Sequence, residues 1–327
     1  MDNQNLSISV CDWAGDKRWV YSITFDEALS ELHLFTIPIL EEFGVPGHVE
    51  VVVGQMGQER HLLQSSYNGM HHMGVAELRE LLQRGWGVGT HSWSHTYINL
   101  ANIDRELTGS KHVLEEAIGA PVTVYCSPGG NFNMSEEILA QCRVDSFLGA
   151  MCLNEALNRP NDADLLWLNR TFLHDNGPDV FDCEFDPFRK VMHARRDHGW
   201  IIDYLHCPLE KPVHPRKDCS AAQLRERIET IVNEGGDEVW LAKVEDPMDY
   251  RYTRRHLRIE PLPGGLFNLL TPGLPAAVQN HRLTFALPAQ TAQVTADGIE
   301  GKIYSKNGKK LVDVDLSRPV ILQLHSA

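Results

Sequence analysis

The chain has 327 residues, of which 43% are hydrophobic and 23% are charged, and its formal net charge is −14. This length and composition suit one large α/β domain, or a domain of about 250 residues followed by a small module. The negative charge argues against nonspecific nucleic-acid binding, and no apolar stretch reaches the length of a membrane span, so we expect neither kind of partner.

Seven cysteines are scattered along the chain without a C-x-x-C motif. An odd, scattered set argues against a disulfide framework and a zinc knuckle, and favours reduced thiols. The first residues, MDNQNLSISV, lack the basic and apolar regions of a signal peptide. We therefore expect a cytoplasmic protein, or a secreted one if a native signal precedes this sequence.

Short apolar runs alternate with helical patterns over the first two-thirds of the chain. Strands are predicted at WVYSITF, HVEVVVG, GVGTHSW, PVTVYCSPGG, VDSFLGAMC, GWIIDYLHC and DEVWLAK. Helices are predicted at VAELRELLQRGW and over residues 28–43, 102–118, 134–143, 182–197 and 219–234. The alternation predicts parallel strands in βαβ units, and about seven repeats favour closure into a (β/α) barrel, complete or incomplete.

The composition changes near residue 258. Prolines and glycines cluster between 261 and 275, and the short alternating runs RLTFAL, AQVTA, GKIYS, KLVDVDL and PVILQL follow. Lys306-Asn307-Gly308 is a typical hairpin turn between two of these runs. The pattern predicts a barrel domain over residues 1–257 and a small antiparallel β module over residues 258–327.

Polar residues follow several predicted strands, at the end where parallel α/β folds gather their functional groups. They are Asp26 and Glu27, His91 and His95, the loop Ser127, Pro128, Gly129 and Gly130, and His206. Each has an ordinary alternative: the acids can cap a helix, the histidine pair can arise by chance, Pro-Gly-Gly can be a plain turn, and His206 can be a core histidine.

Their shared location indicates metal-assisted hydrolysis. Two imidazoles and one carboxylate leave open positions on Zn²⁺ for water and a substrate oxygen. A second carboxylate can then take a proton from the water, and a separate histidine can protonate the leaving group. The same ligand types can also hold Fe(II) for oxygen chemistry, but the extra acid and the separate histidine favour hydrolysis.

The segments TFDEA, THSWSH, YCSPGG and DYLHC, in this order, resemble the motifs of the polysaccharide deacetylase (NodB-homology, carbohydrate esterase family 4) superfamily over roughly residues 18–256. The resemblance implies a distorted, often incomplete (β/α) barrel that binds one divalent metal, usually Zn²⁺, with Co²⁺, Ni²⁺ and Mn²⁺ as alternatives. It also implies removal of N- or O-acetyl groups from sugars, although some relatives open small cyclic amides.

The same resemblance assigns roles to the site residues. It implies Asp26 as general base, His206 as general acid, Glu27, His91 and His95 as metal ligands, and Ser127, Pro128, Gly129 and Gly130 as the substrate-groove loop, where a backbone amide can help hold an oxyanion.

Two positions depart from the family pattern. Glu27 stands where the family has an aspartate ligand, and Cys126 stands where it has the arginine that orients the base. Arg170, at the end of a predicted strand in LWLNRTF, is a candidate for that missing cation. Trp93, between the two histidines, can form a wall of a sugar subsite, but core packing is the commoner use of a tryptophan.

The sequence therefore predicts a metal-dependent hydrolase that removes acetyl groups from an acetylated carbohydrate. Two alternatives stay open: an amidohydrolase acting on a small non-sugar amide or cyclic imide, and an inactive barrel that binds carbohydrate. We expect an acetylated sugar or small amide as substrate, and a homo-oligomer is compatible with the sequence.

Overall fold

A computed structural model describes residues 7–61, 65–173, 185–214 and 217–326 of the chain. The described residues form two compact units. The larger unit spans Trp19–Glu245, and the smaller one combines the described residues that precede and follow it, beginning with strand β1 (Ser9–Val10). The domain division predicted at residue 257 stays a prediction, since compactness alone does not define an independently folding domain.

The larger unit is built around a parallel sheet. Its strands are β2 (Trp19–Asp26), β3 (Gly47–Val51), β4 (Gly87–Thr90), β5 (Val124–Cys126), β6 (Gly149–Cys152), β7 (Leu168–Asn169), β8 (Trp200–Leu205) and β9 (Val239–Leu241). They run in the order β7-β6-β5-β4-β3-β2-β8, and β9 pairs with the start of β2. The predicted barrel of parallel strands is thus confirmed.

A single bridge joins the two ends of this sheet. Thr171, just beyond β7, pairs in parallel with Asp203 of β8. The Thr171 amide donates to the carbonyl of Ile202 at 2.7 Å, and its carbonyl accepts from the Tyr204 amide at 3.0 Å. These two bonds close the circle of strands next to Arg170.

The helices of the chain are α1 (Thr36–Glu42), α2 (Val75–Gln83), α3 (Ser110–Ile118), α4 (Glu136–Val144), α5 (Val191–Asp197), α6 (Ala221–Gly235) and α7 (Glu245–His256). A π-helical turn, Asp104–Gly109, leads into α3. Helix α6 begins with a capping box, in which the Ser220 hydroxyl accepts from the Gln223 amide and the Gln223 side chain accepts from the Ser220 amide.

Two predicted helices differ in the structure. Residues 28–43 form a 3₁₀ turn, Ser30–His33, followed by the short α1. Pro38 lacks an amide hydrogen and fits only the first turn of a helix, so α1 cannot begin much before Thr36. Of the helix predicted over residues 182–197, only α5 is seen, and residues 182–184 lie outside the described part of the chain.

The inside of the barrel carries charged groups beside the two glycines of β4. His48 and Glu50 on β3 are fully buried, and a Cβ at Gly87 or Gly89 would overlap their side chains. These glycines are required for space, because the neighbouring strand fills the volume in front of them.

The smaller unit is antiparallel. Its remaining strands are β10 (Arg258–Leu262), β11 (Leu266–Leu270), β12 (Arg282–Leu287), β13 (Thr291–Ala296), β14 (Ile299–Glu300), β15 (Tyr304–Lys306), β16 (Lys309–Asp315) and β17 (Val320–Ser326). They form two sheets, β1-β12-β16-β15 and β10-β11-β17-β13-β14. The predicted hairpin turn is present, with Asn307 and Gly308 both in the left-handed region. Strands β10 and β11, in the proline- and glycine-rich segment, were not predicted.

Across the described residues, no helix combines the length and the apolar character that crossing a bilayer requires.

Candidate functional site

The site begins at a sharp turn after β2. Asp26 is the last residue of the strand, and Glu27 and Ala28 then adopt positive φ angles of 74° and 48°. Such backbone is uncommon outside glycine and concentrates at functional sites. The turn places both carboxylates in the interior: Asp26 is 3% exposed and Glu27 is 2% exposed.

Asp26 is paired with Arg170, which is fully buried. Nη1 of Arg170 donates to Oδ1 of Asp26 at 2.6 Å and Nη2 donates to Oδ2 at 3.2 Å. Burial opposes ionisation of Asp26, but the charge of Arg170 outweighs it and holds the pKa of this carboxyl well below its usual range. The guanidinium also lies over the ring of Tyr204, 4.5 Å from its centroid.

Glu27 is paired with a second buried arginine that sequence reasoning missed. Nε and Nη2 of Arg60 donate to the two carboxylate oxygens of Glu27, and burial lowers the pKa of Arg60 to about 10. Nδ1 of His72 donates to the Glu27 carbonyl at 2.7 Å, which fixes the turn from its other side. Arg60 lies in an irregular loop after β3. Its position after a barrel strand was the one feature of the sequence that could have assigned it to the site.

The histidine loop follows β4. Nδ1 of His91 donates to the Cys126 carbonyl at 3.0 Å, which turns Nε2 toward Asp26, 3.7 Å from Oδ2. Nε2 of His95 lies 3.9 Å from Oε1 of Glu27. Burial lowers the pKa of both histidines, so both imidazoles are neutral at neutral pH. The two rings meet edge to face, 4.9 Å apart.

Asn133 ties the histidine loop to the Pro-Gly loop after β5. Its side-chain oxygen accepts from the Ile98 amide at 2.8 Å, and its nitrogen donates to the carbonyls of Thr96 and Pro128 at 3.0 and 2.9 Å. Within the Pro-Gly loop, the Ser127 hydroxyl donates to the Gly130 carbonyl at 2.5 Å. One buried amide thus sets the spacing between two site loops.

His206 follows β8 and is held by a buried carboxylate. Its backbone amide donates to Asp218 at 2.7 Å, and Tyr67, which also donates to Asp218, stacks on the imidazole at 4.8 Å. Nε2 of His206 lies 3.3 Å from the hydroxyl of Tyr204. Burial lowers the pKa of His206 to about 3, so the imidazole is neutral at neutral pH.

These groups line one cavity of about 520 Å³. Of the residues predicted from the sequence, the cavity wall includes Asp26, Glu27, His91, His95, Ser127, Gly129, Gly130 and His206. The residues that sequence reasoning did not assign to the site are Arg60, Ser65, Ser66, Tyr67, Leu153, Phe172, Tyr204, His214 and Lys217. Most of these lie in loops after strands, where no periodic pattern marks them.

Three predicted residues do not line the cavity. Arg170 lies behind Asp26, and Pro128 contributes its carbonyl to Asn133. Trp93 packs against the hydrophobic core beside Gly54, with the guanidinium of Arg105 5.3 Å from its ring centroid. Its position matches the core-packing alternative.

The described residues contain one trio whose donor atoms all lie within 4.8 Å of one another, a possible metal-binding group of Asp26, His91 and Cys126. Its donors are already in use. Asp26 is bound by Arg170, and burial raises the pKa of the Cys126 thiol well above its usual value, whereas a metal binds the thiolate.

The predicted ligands Glu27, His91 and His95 do not form such a trio. Both oxygens of Glu27 accept from Arg60, so the one carboxylate of the set already has a cation. The residues present therefore do not fit a resident divalent metal in the arrangement that the structure has.

The chain was compared with known proteins. Residues 15–145 match the model of the polysaccharide deacetylase family. No curated protein matches the chain.

Three solved structures illustrate the similarity. A putative polysaccharide deacetylase from Mycobacterium smegmatis is 20% identical over 77% of this chain and 96% of its own, with a TM-score of 0.49. A family 4 acetyl xylan esterase from Clostridium thermocellum, in complex with cobalt, is 18% identical over 70% and 89%, with a TM-score of 0.42. A polysaccharide deacetylase from Bacillus cereus is 19% identical with a TM-score of 0.39, and the match covers 46% of each chain.

The family match spans β2 to α4 and includes the acidic turn, the histidine loop and the Pro-Gly loop. The resemblance read from the four sequence motifs is thus confirmed, with Glu27 and Cys126 as the departures. Over residues 15–145, the chain is thus similar to the polysaccharide deacetylase family, with these two positions as its divergent features.

Proposed function

We propose that this protein hydrolyses acetyl groups from an acetylated carbohydrate, with N-acetyl groups as the first candidates. The observation that carries the proposal is the convergence of Asp26 and His206 on one cavity at the carboxyl ends of the barrel strands. The family match supports the substrate class. Roles for individual residues are part of the proposal.

Asp26 is proposed as the base. Arg170 holds it ionised and fixes its plane, so one oxygen can take a proton as water adds to the acetyl carbon. The same bidentate pair weakens Asp26 as a base, because it stabilises the carboxylate. Asp26 therefore contributes by orienting the water and by holding the proton in the transition state.

His206 is proposed as the acid that serves the leaving nitrogen. Its imidazole is neutral at neutral pH because burial lowers its pKa to about 3. It therefore receives the proton that Asp26 took from the water, within the same cavity, when negative charge on the tetrahedral intermediate favours the imidazolium. The C–N bond then breaks, the water oxygen leaves in acetate, and the amine carries the proton from His206. Tyr67 and Asp218 hold the ring in place.

Release of acetate tests this function. We expect acetate from chito-oligosaccharides, and a smaller or absent signal from O-acetylated xylo-oligosaccharides. A small cyclic imide, such as succinimide, tests the amidohydrolase alternative in the same assay. Opening of the imide without acetate release from any sugar would replace the proposal by that alternative, and binding of the sugars without turnover would favour an inactive barrel.

A further inference from the structure

Each carboxylate of the acidic turn carries its own guanidinium. Arg170 binds Asp26 and Arg60 binds Glu27, in both cases through two nitrogens. All four side chains are at most 4% exposed. The two negative charges are thus already matched by two positive charges before any ligand enters.

The charge of Arg60 lies close to where a metal would lie. Arg60 acts electrostatically on His91, His95 and His72, and it lines the cavity beside both histidines of the loop. A divalent ion held by His95 and Glu27 would therefore lie next to a buried guanidinium, in a medium that screens their repulsion weakly. Lys217 is a further basic residue of the cavity wall.

We propose that the Arg60 guanidinium is the resident cation of this site and polarises the substrate carbonyl without a divalent metal. The inference rests on the proposed hydrolysis and deepens it. Arg60 has five N–H groups. Two go to Glu27, and among the described residues Nη1 also lies 3.5 Å from the side-chain oxygen of Asn68.

The remaining donors can hydrogen-bond to an acetyl oxygen in the cavity. A preorganised cation stabilises the negative charge that develops on this oxygen when water adds to the carbonyl carbon. Glu27 then acts as a positioning residue, because it fixes the plane of the guanidinium and accepts no proton.

Zinc titration of the full chain tests the inference without a substrate. After dialysis against a chelator, the wild type is titrated with ZnCl₂ and bound zinc is measured by calorimetry and mass spectrometry. We expect well under one zinc per chain. Arg60→Met frees Glu27 and should bind one zinc per chain, and the double variant Arg60→Met, His95→Ala should lose it again.

Arg105→Met is the matched control, since Arg105 is exposed and its guanidinium packs on Trp93. It should behave like the wild type. If Arg60→Met does not fold, as judged by circular dichroism, Arg60→Gln replaces it. One zinc per wild-type chain that His95→Ala abolishes, or no gain of zinc on removal of Arg60, would overturn the inference. Failure of the proposed function is seen separately, as no acetate release from any sugar.

Discussion

Arg170 and Asp26 are 144 residues apart in sequence, yet two hydrogen bonds of 2.6 and 3.2 Å join their side chains inside the barrel. This pair supplies the cation that the YCSPGG segment lacks. The Cys126 thiol, at the position of the family arginine, lies 3.5 Å from the same carboxylate. The arginine reaches Asp26 from just beyond β7, whereas Cys126 is the last residue of β5.

Removal of Arg170 should destabilise the fold. Arg170→Met leaves a buried, uncompensated carboxylate, and breaking a buried ion pair in this way costs about 3–5 kcal/mol. Urea unfolding monitored by tryptophan fluorescence measures the loss. The double variant Arg170→Met, Asp26→Asn should recover part of it, because the remaining side chain is neutral. Equal stability of wild type and Arg170→Met would show that the pair does not exist in solution.

Removal of either proposed proton carrier should slow turnover in a chain that still folds. Asp26→Asn and His206→Gln should each lower the rate of acetate release by a factor of roughly 10²–10⁴, the usual range for general acid–base groups. Thermal melts should stay cooperative in both variants, but Asp26→Asn should melt lower, because it leaves the buried Arg170 without its carboxylate. His71→Gln, an exposed histidine on the loop beside the site, is the matched control and should keep the wild-type rate. A wild-type rate in either site variant would remove that residue from the mechanism.

Asn133 should control the mobility of the histidine loop. Asn133→Ala removes three side-chain hydrogen bonds and leaves a buried amide and two carbonyls without that partner, at about 1–3 kcal/mol for each unsatisfied group. Amide hydrogen exchange should accelerate over residues 91–98 and 127–130. Asn131→Ala, two residues away and exposed, is the control and should leave exchange over 91–98 unchanged.

The buried network on β3 predicts how stability depends on pH. His48 lies between Glu50, at 2.6 Å, and Glu245, at 3.2 Å. Burial opposes the charged form of His48, but Glu245 and Glu50 outweigh it and raise its pKa to about 10. A raised pKa contributes stability that is complete below the unfolded value near 6.5 and is lost as pH rises toward about 10.

Melting temperatures between pH 6 and pH 10 test this. The wild type should lose stability across the window, because folded His48 holds its proton more strongly than the unfolded chain does and gives it up as the pH approaches about 10. His48→Gln should melt lower at pH 6 and vary less with pH. His61→Gln changes a histidine that is 75% exposed and should follow the wild-type curve. A His48→Gln curve parallel to the wild type would contradict the assignment.

Much of the barrel could be predicted because its information is local. The buried strands are continuous apolar runs in the sequence. The rule that functional groups follow parallel strands predicted that Asp26, His91, Ser127 and His206 lie at one edge of the barrel. The hairpin at Asn307-Gly308 was equally predictable from the sequence, since both residues tolerate the left-handed backbone that the turn requires.

The partners of the acids were harder to predict. Arg60 lies in a loop without periodicity, and its pairing with Glu27 depends on how that loop folds back over β2. The spacing of apolar residues predicted one helix over residues 28–43. That helix does not form in full, because Glu27 and Ala28 have left-handed backbone and Pro38 fits only the first turn of a helix. Strands β10 and β11 were missed because Pro261 within β10 and the Pro263-Gly264-Gly265 segment between the two strands are typical of turns.

The bridge between Thr171 and Asp203 has a consequence for how this site can vary. Arg170 is the residue before Thr171. The counter-ion of Asp26 is therefore next in sequence to the residue whose bridge completes the ring of strands. Lengthening the chain between β7 and this bridge would displace the arginine along with it. A related protein with an open barrel at this point would need a different cation for Asp26. A related protein that kept the ring of strands could change the flanking loops, and with them its substrate, without moving Arg170 relative to Asp26.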